Sequence, residues 1–455
     1  MSKKYLKRNV YDLLLAWKNR ANHGTLEVNG ARQVGKTFIV NKFADEQYQH
    51  KIYISLSDLS GDLFLSAYKR LWDDMDSGRI KVKNPVYELI KRYEPDFIDS
   101  KETVVIIDEI QESAEIYNRI REFTRNLECD FIITGSYLGR ILDKSFKYSA
   151  GDIDSIEVNT LDFEEFLFAV DKHSLYQELD LFGNSCRTVY EELEQYYKIY
   201  CEIGGYPSVV LSYLDTGSVQ ESRAEIPRII QLFTSESKRY FQDILDDAVY
   251  DNIFCSIART LAKEKKGLDK DSFSEELQNL VVKDYSSNIS KATINRSMDW
   301  LYSSGIIAFA GKITECNILD FKAKQRRYFM DIGLANHFLT MIGLGKEQRN
   351  GLISENFVFL NLRRRINYPP EIALETPAFA VYRGGELDYF VQTIETEKTY
   401  AIEVKSGKNS SKTINTVLDS KKVDYVLYAK GNTLGGTNGN IYTIPIYGIG
   451  KFRFR

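Results

Sequence analysis

Residues 24–37, Gly24-Thr-Leu-Glu-Val-Asn-Gly30-Ala-Arg-Gln-Val-Gly35-Lys36-Thr37, decide the fold. A short strand-like run ends in Gly30-x-x-x-x-Gly35-Lys36-Thr37, and an amphipathic stretch to about Asp45 follows at once. This is the Walker A spacing in the strand, loop and helix context that it requires. The two glycines let the backbone curl so that successive N–H groups point inward, and the helix beginning near Lys36 adds its positive N-terminal end. Gly30, Gln33, Val34, Gly35, Lys36 and Thr37 are therefore read as a phosphate cradle. Lys36 is expected along the β- and γ-phosphates of a nucleotide, and the Thr37 hydroxyl as a Mg²⁺ ligand.

Downstream, Lys51-Ile-Tyr-Ile-Ser55 reads as a second strand, and residues 62–93 as mostly helical up to Glu94-Pro95. Thr103-Val-Val-Ile-Ile107-Asp108-Glu109 follows. Four consecutive β-branched aliphatic residues without polar alternation predict a strand buried on both faces, as in the centre of a parallel sheet. Two carboxylates at its carboxyl end fall where doubly wound sheets bind ligands, so Asp108 is assigned to the Mg²⁺ water shell and Glu109 to the attacking water. The continuation Glu109-Ile-Gln111 lacks the glycine-bearing switch of GTP-binding proteins, which argues for ATP.

Residues 114–126 have helical spacing, and Asp130-Phe-Ile-Ile-Thr134-Gly-Ser136 is the next strand. Thr134 and Ser136 are candidates either to sense a γ-phosphate or to cap the following turn. Ser155–Asn159 gives a fifth strand, and Asp162-Phe-Glu-Glu165 a capping box opening a helix through Val170. Upstream of the cradle, residues 5–20 have the apolar spacing of a helix.

A chain of 455 residues is too long for one core, and 43% hydrophobic with 27% charged residues is an ordinary globular balance. No segment reaches membrane-spanning length and the N-terminus lacks a signal-peptide core, so a cytoplasmic protein is expected. The five cysteines and four histidines are scattered without metal-ligand or disulfide spacing. A net charge of −4 removes a global nucleic-acid footprint and leaves only local basic patches for such contact.

The Walker A segment, Asp108-Glu109, the Thr134-Gly-Ser136 strand end and Gly204-Gly-Tyr-Pro207 together resemble prokaryotic AAA-type ATPases with a C-terminal PD-(D/E)xK restriction-endonuclease-like domain of uncharacterised function. The resemblance runs over nearly the whole chain. It implies ATP and Mg²⁺ as cofactors and an assembling protein, with Gly205 and Pro207 in a helical lid near the nucleotide. Local chemistry reads the same four residues as a turn between helices at 190–203 and 208–214. Where the family has Gly-Arg before the fifth strand this chain has Gly151-Asp152, so Arg119, Arg121, Arg125 and Arg140 remain as sources of positive charge for the γ-phosphate.

Residues 173–248 read as lid and linker helices. In residues 250–311, Lys291-Ala-Thr-Ile-Asn-Arg296 takes the third-helix position, and Gly305–Ala310 with Arg326–Met330 are two strands, the order of a winged helix-turn-helix. Lys291, Arg296, Lys322, Lys324, Arg326 and Arg327 form the local basic footprint for DNA, although winged helices equally serve as protein-contact modules. At the C-terminus, Gly351–Leu362 is an amphipathic helix carrying Glu355. Val381–Val391 reads as a strand entered through the Gly384-Gly385 pair, and Tyr400–Gly407 as its partner. Glu403 and Lys405 then share one strand face. Glu355, Asp388, Glu403 and Lys405 match the resembled family in order, which implies metal-binding carboxylates and a catalytic lysine; a binding module that cuts nothing carries the same residues.

The expected architecture is α/β throughout: a parallel-sheet P-loop NTPase core (1–170), helical lid and linker (171–248), winged helix-turn-helix (249–335) and restriction-endonuclease-like α/β domain (336–455).

Overall fold

Strands β1 (Thr25–Asn29), β2 (His50–Ser55), β3 (Thr103–Asp108), β4 (Asp130–Thr134) and β5 (Ile153–Glu157) lie in the order β2-β3-β4-β1-β5. Every neighbouring pair is parallel. The computed structural model describes residues 5–135, 146, 153–240, 247–264, 291–367, 370–406 and 412–454. These divide into two compact units, Arg8–Asn159 with Ser303–Gly305, and Met1–Lys7 with Thr160–Tyr302 and Ile306–Arg455. Among the described residues no helix is long and apolar enough to cross a membrane.

In the first unit β3 is buried at all six positions, which is why its sequence shows no polar alternation. Register aligns the carboxyl ends, with Ser55 opposite Asp108 and Val28 opposite Thr134. Because β4 is inserted between β1 and β3, the end of β4 stands between the cradle and the Asp108 carboxylate. Helices α1 (Val10–Asn19), α2 (Lys36–Gln47), α3 (Leu59–Asp76), α4 (Pro85–Tyr93), α5 (Ala114–Tyr117) and α6 (Ile120–Asn126) complete the unit. Phe64, Tyr68 and Leu71 of α3, Leu89 and Ile90 of α4 and Phe123 of α6 share one core with Val105, Ile107 and Ile133 of the sheet.

The mostly helical stretch expected over 62–93 consists of two helices. Gly78, at φ +70°, turns the chain out of α3; Asn84 then caps α4 by accepting from Tyr87 N at 3.1 Å, with Pro85 in the first turn. The helix expected over 114–126 is likewise broken, with Asn118 and Arg119 between α5 and α6.

The second unit begins with α7 (Phe163–Ala169), opened by the Asp162–Glu165 capping box. Helices α8 (His173–Glu178), α9 (Arg187–Ile203), α10 (Pro207–Thr216), α11 (Val219–Arg223), α12 (Ile226–Tyr240), α13 (Asp247–Glu264) and α14 (Lys291–Ser303) follow. Next come β6 (Ile307–Thr314), β7 (Phe321–Phe329), α15 (Ile332–Met341), α16 (Lys346–Asn367), β8 (Ala378–Tyr382), β9 (Gly385–Gln392), β10 (Thr399–Lys405), α17 (Lys412–Asp419), β11 (Tyr425–Lys430), β12 (Gly436–Asn438) and β13 (Ile441–Pro445). The described strands form one mixed sheet of eight, in the order β12-β13-β11-β10-β9-β8-β6-β7.

That order corrects the reading of the wing. The β6–β7 hairpin exists, but β6 also pairs in parallel with β8, from Gly311 opposite Ala378 to Thr314 opposite Val381. It is the edge of the C-terminal sheet. The Gly384-Gly385 pair does not lead into one strand either: Arg383 and Gly384, at φ +47° and +77°, make the two-residue turn of a β8–β9 hairpin.

Candidate nucleotide site and a second acidic site

The cradle is built from backbone conformations that side chains resist. Gly30 has φ +141°, and a Cβ there would lie 2.1 Å from the Val158 carbonyl oxygen; Gln33 and Gly35 follow at φ +63° and +93°, with Gly35 capping α2. Lys36 Nζ donates to the carbonyls of Gly30 at 3.0 Å and Ala31 at 2.8 Å, so the ammonium lies over the loop it belongs to. Buried Arg8, which the sequence did not single out, donates from Nη1 to Val34 O at 2.8 Å and from Nη2 to Asn159 O. One guanidinium therefore ties the cradle to the chain leaving β5. Its only sequence signal was a basic residue in a segment read as helical, whereas α1 starts at Val10.

Asp108 is the hub of the strand ends. Oδ2 accepts from Thr37 Oγ1 at 2.8 Å and from the Tyr53 hydroxyl at 2.7 Å. Oδ1 accepts from Thr134 Oγ1 at 2.6 Å and from Glu109 N at 2.9 Å. Thr37 and Asp108 thus meet as the cradle requires, and Thr134 bonds the carboxylate from the intervening strand. Tyr53 is an unforeseen participant, and burial followed by its bond to Asp108 pushes its phenol well above the ordinary range. Glu109, at φ +53°, caps the short turn Ile110–Glu112, and Gln111 Nε2 donates to its Oε2. These are oxygen donors of the kind a hard cation takes.

Other expected residues lie elsewhere. Ser136 and Arg140 fall outside the described residues. Arg119 donates from Nε to the Tyr68 hydroxyl at 2.5 Å and sits over the Trp72 ring at 4.6 Å. Gly205 and Pro207 belong to the second unit, where Gly205 N donates to Asp331 at 2.8 Å and a Cβ on Gly205 would strike the Leu161 carbonyl at 2.0 Å. Asp331 also caps α15 through Leu334 N at 3.0 Å, and burial raises its carboxyl above the usual range. The Gly204–Pro207 segment is therefore a close-packed junction of α9, α10 and α15.

The second unit gathers the four residues of the other motif. Asp388 stands on β9, Glu403 and Lys405 on β10, and Glu355 on α16. Lys405 Nζ pairs with Glu403 Oε1, and Asp388 Oδ2 accepts from Val404 N at 2.7 Å. Burial alone would lower the Lys405 ammonium, but Asp388, Glu403 and Glu355 outweigh it and hold the group above the usual lysine range. Ala378 opposes Phe390 while Ala380 opposes Leu387, so β9 carries one extra residue between Leu387 and Phe390. Asp388 sits in that bulge, a device that re-aims a side chain. Among the described residues no three His, Cys, Asp or Glu are grouped to hold a metal ion. Here Glu403 is paired with Lys405, and Asp388 is bonded to Val404 N.

The basic footprint divides. Arg296, Lys322 and Lys324 are exposed. Arg326 is 8% exposed, bonded to Glu386 at 2.7 Å and placed over the Phe379 ring, and Arg327 is 7% exposed beside Phe309. These two arginines brace the sheet edge instead of presenting charge to phosphates. Lys291 starts α14, and its side chain lies outside the described set.

Residues 22–167 match a family model described as an AAA domain, and residues 194–347 match a domain of unknown function (DUF8612). No curated protein matches the chain. Among solved structures, the Walker-type ATPase paby2304 of Pyrococcus abyssi is similar at TM-score 0.43 and 16% identity, over 74% of this chain and 96% of that one. A STAND-type signal transduction ATPase with a tetratricopeptide repeat sensor, from Pyrococcus horikoshii, is similar at 0.29 and 13%, over 80% and 46%. The Aeropyrum pernix ORC1 protein, solved in complex with DNA, is similar at 0.28 and 13%, over 73% and 91%. The motif geometry and the family match agree on residues 22–167 as an AAA-type P-loop domain.

Proposed function

We propose that the first unit binds and hydrolyses ATP, and that its nucleotide state controls the second unit, which acts on DNA through a nuclease-like site. The observation that carries the ATPase reading is the convergence of Thr37, Thr134 and the Glu109 amide on Asp108, beside a lysine lying along a glycine cradle. The cradle N–H groups and Lys36 bind the β- and γ-phosphates and neutralise charge that builds during transfer. Glu109 orients the attacking water and takes its proton. Thr37 and Asp108 would hold a Mg²⁺ ion, which would supply the remaining positive charge. Lys36→Ala is expected to abolish ATP binding, whereas Glu109→Gln binds ATP and fails to turn it over; wild-type turnover by Glu109→Gln would remove Glu109 from the mechanism.

A second reading is favoured by the Glu403–Lys405 pair and by the Val404 N–H on Asp388: a nucleotide-dependent switch that binds DNA or a protein and cleaves nothing. Incubating plasmid and single-stranded DNA with the protein, Mg²⁺ or Mn²⁺, and ATP separates the two. Cleavage that Lys405→Ala abolishes supports the nuclease. ATP hydrolysis without cleavage supports the switch, and salt-dependent duplex binding lost on neutralising Lys322 and Lys324 then identifies DNA as its partner.

A further inference from the structure

We propose that Gln111 is the positioning residue for Glu109, and that Gly135 is glycine to make room for it. This rests on the reading of Glu109 as the group that activates water. Glu109 leaves a buried strand in the left-handed region, a conformation uncommon for a residue with a side chain and one that a neighbouring contact must hold. The contact comes from two residues on, where Gln111 Nε2 donates to Glu109 Oε2.

The other end of the same amide is fixed by the next strand. Gly135 follows β4, and a Cβ added there would lie 2.3 Å from Gln111 Oε1 and 3.2 Å from Ile110 N and Ile110 Cγ2. Ile110 is fully buried, so the turn carrying both side chains has little freedom to retreat. The Gln111 amide is thus wedged between the Gly135 backbone and the Glu109 carboxylate. Neither Gln111 nor Gly135 belongs to the phosphate cradle or to the four donors on Asp108.

One consequence follows from the chemistry. A donor on Oε2 fixes the carboxylate rotamer and leaves Oε1 to accept from water, so the base is oriented before substrate arrives.

The test uses the full chain with Mg²⁺ and ATP. Gln111→Leu should lower kcat by about tenfold or more while leaving KM for ATP unchanged, because misplacing a reacting group by about 1 Å is enough to cost on the order of 100-fold. A merely structural defect would instead lower the active fraction or raise KM. Gly135→Ala, whose Cβ displaces the amide from the opposite side, should reproduce the loss of kcat at unchanged KM and keeps the question answerable if Gln111→Leu folds poorly. Wild-type kcat in both variants overturns the proposal, and so does a rise in kcat, which would make Gln111 a restraint. Glu109→Gln run in parallel separates the failures: if it is inactive while the Gln111 and Gly135 variants are normal, Glu109 keeps its role and only the positioning proposal falls.

Discussion

In the five-stranded sheet the Asp108 carboxylate is met by three hydroxyls and a backbone N–H; in the eight-stranded sheet Glu403 is met by the Lys405 ammonium. Hydroxyls stabilise a carboxylate without cancelling its charge, so Asp108 still presents a full negative charge to a cation arriving at Thr37. An ammonium offsets the charge of Glu403, while Asp388 and Glu355 act on the same ammonium, so one cation is shared by three carboxylates. In the first arrangement the carboxylate meets only neutral donors; in the second the cation is a side chain of the protein itself.

The comparison is broken most severely at the cradle. Gly30→Ala places a methyl 2.1 Å from the Val158 carbonyl in a φ +141° conformation, so the loop must move and its N–H groups lose their aim. ATP affinity should fall on the order of 100-fold, which corresponds to about 3 kcal/mol. Titration calorimetry with Mg²⁺ and ATP measures it. Wild-type affinity would mean that Gly30 is not part of the cradle and that Asp108 waits for something else.

Lys405→Met tests the second half. Glu403 is 3% exposed, and removing its partner leaves a buried charge, a loss of about 3 kcal/mol at neutral pH. Hydrogen exchange at the β10 amides reads this locally. The sign with pH follows from the raised Lys405 value: its contribution is full below the ordinary lysine pKa and disappears as pH rises through the elevated one, so on the alkaline side the gap between wild type and variant closes only at strongly alkaline pH. Adding Glu403→Leu should recover most of the loss. A gap that stays constant with pH, or a double variant no better than the single, would show that the pair is not what neutralises Glu403.

How far these sites could be read in advance depended on the range of the interactions. Gly30 to Thr37 and Asp108-Glu109 are local patterns, written in spacing and in a buried β-branched run. The insertion of β4 between β1 and β3 is a long-range pairing, and no residue in Asp130–Thr134 encodes its neighbours. Tyr53 looked like an ordinary alternating strand residue until β2 was placed in register with β3. The β6–β7 hairpin has the same sequence whether it stands free as a wing or edges a sheet, and only its pairing with β8 distinguishes the two. Arg326 and Arg327 read as surface charge because sequence shows a guanidinium but not the Glu386, Phe379 and Phe309 that cover it. The bulge at Asp388 was hidden because an extra residue in a strand is visible only against its partner.

The finest contrast between the two carboxylates lies in Tyr53→Phe. Thr37 and Tyr53 share Asp108 Oδ2, and the tyrosine hydroxyl is the one donor of the pair that the Walker pattern does not require. Removing it leaves Asp108 its remaining three bonds, so stability should fall by only about 1 kcal/mol. The freed lone pair should make Oδ2 a better acceptor for a metal-bound water, so half-saturation of the ATPase by Mg²⁺ should drop two- to threefold as a rough scale, with kcat little changed. Because burial and Asp108 keep the Tyr53 phenol protonated well above its ordinary range, the difference should be constant from neutral pH to about pH 9. A higher Mg²⁺ requirement in Tyr53→Phe would reverse the assignment: the phenol would then be holding Asp108 in place for the cation, and the hydroxyls around Asp108 would act as scaffold instead of as placeholders that a metal shell displaces.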